Sequence, residues 1–413
     1  MSGLPKVALS EVAELTGGYA FKSRDYSNSG RFVLRTLNIG SDCSINKRDA
    51  VYIPEALCDQ YGRFQLQAFD TLFVMVGATL GKVGLVREQD LPALLNQNMW
   101  RIRANPNVVD SRYLHYAFRI AVQGSSSWAT GSARDFVRRD DYRRLQVAAP
   151  PLKTQRKIAA VLSAYDDLIE NNNRRIKLLE EMAQRIYREW FVDFRYPGHE
   201  AVPLVDSELG QIPEGWNWKQ LRDIATEVRI SVDPSTIDPS TPYVGLEHMP
   251  ERSIAISEWG RAESAGSRKS RFLVGDVLFG KIRPYFHKVS VPPVEGICST
   301  DAIVIRNRVP GAYGLVLAIV SSDAFVSEAV QSSQGTKMPR ANWRVLEKYP
   351  VAMPPQALLE RFESFASDTV SLIHRMVTTN RNLRSTRDLL LPRLISGEID
   401  VSDLDITLDK TAA

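Results

Sequence analysis

Apolar and polar positions follow two different rhythms along this chain. Short runs such as FVLRTLNI (32–39), DTLFVMV (70–76) and NMWRIRA (98–104) are dense in Val, Phe, Ile and Leu and predict strands. SRYLHYAFRIAV (111–122) sets Leu114, Phe118 and Val122 on one helical face, and GSSSWATGSARDF (124–136) predicts a Gly/Ser-rich loop carrying Arg134. The rhythm then changes. After Pro150–Pro151 no Pro or Gly occurs before Pro197, which leaves 45 residues, 152–196, without a helix breaker. Val161, Tyr165, Leu168, Ile176, Leu179, Ala183, Ile186 and Trp190 step by three and four, with one stutter around Asn172. That spacing predicts a coiled-coil seam, and a polar Asn172 on it costs stability while fixing register. Such a helix reaches roughly 65 Å, more than a small domain needs to bury its own core. A second helical pattern runs from Gln356 to Leu391 and carries Phe362, Phe365, Leu372, Met376 and Leu383, with Asn380 midway. The natural partner of one seam is the other.

The chain states its plan twice. GSARDFVRRDDYRRLQVAAPPLKTQRKI begins at Gly131 and GTKMPRANWRVLEKYPVAMPPQALLERF at Gly335, 204 residues later, and Pro150–Pro151 returns as Pro354–Pro355. More loosely, FDTLFVMVGATLGKVGLV (69–86) parallels GDVLFGKIRPYFHKVSV (275–291), LNQNMWRIRAN (95–105) parallels CSTDAIVIRNR (298–308), and LSEVAEL (9–15) parallels LRDIATE (221–227). A repeat of this length is a duplicated two-part unit rather than a solenoid. Each half reads as a mixed-sheet α+β head followed by a long helix. The expected divisions are a first head 1–150, a first helix 151–196, a linker 197–217, a second head 218–354, a second helix 355–396 and a tail 397–413.

Composition narrows the class without naming it. The chain has 413 residues, 44% hydrophobic and 24% charged, with a formal net charge of +4. That is ordinary for a soluble multi-domain protein and only mildly basic. No signal-peptide core or long apolar span is evident, so a cytoplasmic protein without membrane contact is expected. Cys43, Cys58 and Cys298 are too scattered for a disulfide framework or a zinc site. RDFVRRDDYRR (134–144) and GSRKSRF (266–272) concentrate cations in segments that read as loops.

Catalytic signatures are missing. GATLGKVG (77–84) lacks the spacing and the Ser/Thr of a phosphate loop, and reads as a Gly-rich turn offering Lys82. The Pro-Pro pairs stand between Ala149 and Leu152 and between Met353 and Gln356, without the Asn or Asp and the aromatic that an amino-methyltransferase requires. There is no HExxH, GxSxG or CxxC, and the five histidines are scattered. Two spaced heads suit bipartite binding better than a reaction.

The stretch APPLKTQRKIAAVLSAYDDLIENNNRRIKLLEEMAQRIYREWFVDFRYPG, with LGQIPEGWNWKQLRDIA after it, resembles the central region of the specificity subunits of type I restriction–modification enzymes. PPQALLERF and LLLPRLISGEIDV resemble that family's C-terminal repeat. The resemblance covers essentially the whole chain. It implies an α+β fold of two similar mixed-sheet target-recognition domains separated by two long helices paired as an antiparallel coiled coil. It implies a non-catalytic subunit that reads a bipartite site on double-stranded DNA. Two methyltransferase subunits would dock on its helices and flip and methylate an adenine with S-adenosylmethionine. Two motor–nuclease subunits using ATP and Mg are a further option. No cofactor or metal is expected on this chain. Pro392, and the loss of the Tyr187/Trp190 character in the second helix, imply docking surfaces of unequal strength.

DNA contacts are expected from Arg35, Asn38, Lys82, Gln97, Asn98, Thr130, Ser132 and Arg134 in the first head, and from Lys281, Arg283, Lys337 and Arg340 in the second. Lys and Arg suit phosphates, Arg suits guanine, and Asn and Gln suit adenine. The helical contacts are expected from Tyr165, Leu168, Asn172, Ile176, Leu179, Ile186, Trp190, Phe362, Phe365, Leu372, Met376 and Leu383. Competing readings are a fused enzyme, a coiled-coil adaptor that reads no DNA, a standalone repressor, and the specificity part of a related type IIB-like system.

Overall fold

The computed structural model describes residues 4–40, 42–47, 49–77, 79–124, 139–208, 210–335 and 337–406. The chain forms two compact units, one from the residues up to Asp166 together with those from Ser385 onward, the other from Asp167 to Arg384.

In the first unit Lys6–Ala8 pairs antiparallel with Gln146–Ala148. A four-stranded antiparallel sheet runs in the order Ala13–Gly17, Met99–Ala104, Thr71–Val74, Val83–Leu85. A three-stranded sheet orders Tyr52–Ile53, Arg31–Leu34, Ala93–Leu95, the last two parallel. Strand Thr71–Val74 is buried throughout because the sheet is covered on both faces. Phe73 enters one core with Trp100, Tyr113 and Phe118, whereas Leu72 and Val74 enter another with Phe32, Leu95 and Met99.

The second unit repeats this topology. Asn217–Gln220 pairs with Pro350–Met353, and a four-stranded sheet runs Ala225–Glu227, Ala302–Asn307, Val277–Gly280, Val289–Ser290. Tyr243 and Val244 lie parallel to Ile297 and Cys298 within a five-stranded sheet. Phe279 and Leu278 divide between two cores as Phe73 and Leu72 do. One polar fixture is also duplicated. Arg103 donates two hydrogen bonds to Asp70 at 2.8 and 2.7 Å, and Arg306 donates two to Asp276, both at 2.7 Å. Each aspartate also accepts from a backbone N–H three residues earlier, Gln67 and Leu273 respectively. The expected linker is not loose: Ile212 and Trp216 are buried in the second unit's core.

The long helices are Leu152–Tyr187, prolonged by a π-helical turn Arg188–Val192, and Gln356–Ser396. The second runs through Pro392 and stops at Gly397, whose φ of +79° suits a left-handed helix end. The two pair antiparallel within each unit. In the second, Asn172 meets Asn380, Ile176 packs with Ile373 and Val377, and Phe191 meets Phe362 with ring centroids 4.8 Å apart. In the first, Asp166 meets Arg387, and Ile158 and Leu162 share a core with Leu391, Leu394 and Ile395.

The seam itself departs from expectation. Leu168 is 52% exposed and Leu372 43% exposed, while their neighbours Ile169 and Ile373 are buried. The buried series Ile158, Leu162, Ile169, Ile176, Tyr187 follows an ordinary helical period of 3.6 residues. A heptad pattern drifts about 20° per seven residues against that period, enough to misplace one position. Tyr165, Leu179, Ile186, Trp190, Phe365, Met376 and Leu383 are half-buried along its edges.

Candidate nucleic-acid interface

In both heads the hairpin that follows the central strand of the four-stranded sheet makes the same turn. In the first head its left-handed positions are glycines, Gly77 (φ +90°) and Gly81 (φ +86°). In the second they are Arg283 (φ +48°) and His287 (φ +50°), six residues past Val277 and ten past it, as Gly77 and Gly81 stand past Thr71. Glycine takes this conformation freely, whereas a side chain makes it costly. A second turn lies against each hairpin: Met75 N–H donates to the Asn98 carbonyl, and Lys281 N–H to the Asp301 carbonyl, both at 2.9 Å.

The second head brings its four expected cations into one loop cluster. Arg283 N–H donates to the Pro339 carbonyl at 2.8 Å, and Ala341 N–H to the Lys281 carbonyl at 2.9 Å. Gln334 and Arg340 pair through their backbones, closing a hairpin that carries the exposed Lys337 and Arg340. Asp301 stands 3.7 Å from Arg340 and holds it beside the turn.

The first head treats its expected residues differently. Gln97 and Asn98 are exposed on their turn. Asn38 is fully buried and accepts from the Arg35 N–H at 2.9 Å, so it caps its own helical turn and cannot face a base. The Arg35 guanidinium donates to the Asp49 carbonyl. Lys82 donates to the Ile39 carbonyl at 3.2 Å, and Lys288, its counterpart, to the Leu246 carbonyl at 2.6 Å. A lysine makes an internal tie of this kind in both heads and fastens the hairpin. Thr130, Ser132 and Arg134 lie outside the described residues.

Sequence reasoning missed Tyr285, Thr300 and Asp301. Tyr285 occupies the tip of the second hairpin and is 52% exposed. Thr300 and Asp301 take the places of Gln97 and Asn98, which the looser repeat alignment already contained. In the basic GSRKSRF segment Lys269 is buried and donates to the Ser267 carbonyl at 2.7 Å, whereas Arg268, which donates to Ser231 Oγ at 2.9 Å, and Arg271 are exposed.

Among the described residues no group of three or more His, Cys, Asp or Glu could hold a metal ion, and no single helix is long and apolar enough to cross a membrane. A cavity of about 200 Å³ in the second unit is walled by Phe362, Ala366 and Ile373, with Glu180 at its edge. Burial raises the Glu180 carboxyl, which accepts from Ser253 Oγ at 2.7 Å and Ile254 N–H at 2.8 Å.

Comparison with known proteins agrees with this layout. Residues 1–181 match the family model for the type I restriction modification DNA specificity domain. The type I restriction enzyme MjaIX specificity subunit of Methanocaldococcus jannaschii is 26% identical over 81% of this chain and 78% of its own length. The EcoDI specificity subunit of Escherichia coli is 23% identical over 60% of each chain. The crystal structure of a type I restriction–modification S subunit from M. genitalium superposes with a TM-score of 0.57 at 13% identity, covering 95% of this chain and 96% of that one. That likeness concerns the fold.

Proposed function

We propose, from the premise that this chain belongs to the specificity subunits of type I restriction–modification enzymes, that each of its heads reads one half of a split DNA target. The observation that carries this reading is the duplicated head, with the same sheet order, the same Asp–Arg fixture and the same hairpin in each copy.

Within this reading the second head approaches DNA with the Lys281, Arg283, Lys337 and Arg340 cluster, and the first with its hairpin at Gly77–Gly81 and the Gln97–Asn98 turn. Cations neutralise phosphates and fix orientation, while the polar turn residues reach base edges. The length and register of the helix pair set the number of unread base pairs between the half-sites. Two methyltransferase subunits dock on the helices. S-adenosylmethionine, and ATP with Mg where motor–nuclease subunits join, belong to those partners. This chain works in the cytoplasm and transfers no group itself.

The test is a methyl-transfer assay with labelled S-adenosylmethionine on host-derived DNA. The chain with its cognate methyltransferase subunit is expected to label DNA, and either protein alone to leave it unlabelled. Methyl transfer by this chain alone overturns the reading.

A further inference from the structure

The hairpin of the second head bears left-handed backbone at two side-chain-bearing residues where the first head uses glycine. Residues held in such conformations cost of order 1–3 kcal/mol each and persist where the surroundings over-determine them. Here they do. Pro284 is buried between them, Phe286 N–H donates to the Arg283 carbonyl at 2.9 Å, and His287 N–H donates to the Pro284 carbonyl at 2.8 Å. The His287 carbonyl accepts from Arg252 N–H at 2.9 Å, and its imidazole Nε2 lies 3.0 Å from the Ser321 carbonyl. The turn is thus held on both sides, and what it holds outward is Tyr285.

Tyr285 is 52% exposed at the tip of this rigid turn. The Phe286 ring lies 4.8 Å behind it. The hairpin hydrogen-bonded alongside presents a second exposed apolar side chain, Met338, at 45%. Lys281 and Arg283 belong to the loop of Tyr285, and Lys337 and Arg340 to that of Met338. An apolar tip within a set of cations suits one feature of duplex DNA: the C5-methyl group of thymine, the only apolar group on a major-groove base edge.

We propose that Tyr285, on its strained Arg283–His287 turn, is a specificity-determining residue that packs against a thymine methyl group in the half-site read by the second head. This rests on the bipartite DNA reading above and adds to it the chemical group recognised.

The complex of the full chain with its methyltransferase subunit is titrated with a duplex carrying the methylation-mapped target. Each thymine of both half-sites is replaced in turn by deoxyuridine, which removes the methyl group and leaves base pairing intact. One position is expected to weaken binding about fourfold in the wild type, the value of one buried methyl-sized group. All of that penalty is expected to vanish in Tyr285→Ala and to survive in Tyr285→Phe, which keeps the ring. No uracil-sensitive thymine, or a penalty unchanged in Tyr285→Ala, overturns the proposal, as does a penalty lost equally in Tyr285→Phe. A wild-type complex without any bipartite target would instead sink the underlying DNA reading, so the two failures are distinguishable.

Discussion

Asn172 and Asn380 face each other across the helix pair of the second unit, Asn172 Nδ2 donating to Asn380 Oδ1 at 2.8 Å. Asn380 is 1% exposed and returns its own amide N–H to Asn173 Oδ1 at 2.9 Å. Three amides thus satisfy one another where the apolar contact pauses, which fixes one axial register. Replacing Asn380 by Ala strands the Asn172 amide and is expected to cost about 1–3 kcal/mol in urea unfolding. The pair Asn172→Leu with Asn380→Leu is expected to regain much of that stability. An Asn380→Ala variant as stable as wild type would remove the register role.

Asp166 and Arg387 form the corresponding polar contact of the first unit. Arg387 is 6% exposed, and Asp166 also accepts from Tyr116 Oη at 2.5 Å. Arg387→Met leaves a mostly buried carboxylate without its cation and is expected to destabilise by about 3–5 kcal/mol. Thermal or denaturant unfolding checks this, and a loss within experimental error contradicts it.

The seam correction gives a sharp pairwise test. Leu168→Glu and Leu372→Glu alter exposed positions and are expected to change stability by less than about 0.5 kcal/mol. Ile169→Glu and Ile373→Glu bury a charge and are expected to unfold the helix pair. Equal effects at adjacent positions would restore the heptad reading.

How much of this was legible in sequence depended on the signal. The duplication and both long helices were plain, because repeated proline pairs and uninterrupted apolar periodicity are local. Lys281, Arg283, Lys337 and Arg340 could be named as candidate cations, but that their two loops are hydrogen-bonded together was not legible. What failed were single positions whose burial is decided by the opposing surface. A run of threes and fours could not distinguish Leu168 from Ile169 until the opposing helix was present. Asn38 and Lys82 have the composition of DNA contacts, yet Asn38 is buried capping its own turn and Lys82 is tied to the Ile39 carbonyl that the fold brings to it. The left-handed turn at Arg283 was invisible, because neither Arg nor His announces a positive φ as glycine does.

Burial lowers the imidazole pKa values of His115, His287 and His374, and around His115 the charges of Arg119, Arg87 and Arg387 add to it. Each ring therefore binds fewer protons when folded than when unfolded, where the value is about 6.5. Stability from these groups is present in full above that pH and is lost as pH falls below it. Glu180, raised by burial, acts in the opposite sense and offsets part of the slope. The urea midpoint is expected to fall between pH 7.5 and 5.5, and His115→Phe to flatten the fall. A midpoint that rises on acidification contradicts these assignments.

Arg283→Gly separates stability from binding. Glycine relieves the left-handed backbone, so the free protein is expected to gain about 1 kcal/mol. Losing the cation is expected to lower DNA affinity and reduce the salt slope of binding by about one. A variant that is neither more stable nor weaker on DNA would show that the turn carries no such trade.

The most direct measurement is a genome-wide map of methylated adenines in cells carrying the methyltransferase partner with and without this chain. The account predicts a motif of two short half-sites separated by a fixed number of unread base pairs, present only with the chain. A single contiguous motif, or the same methylation without the chain, would contradict it.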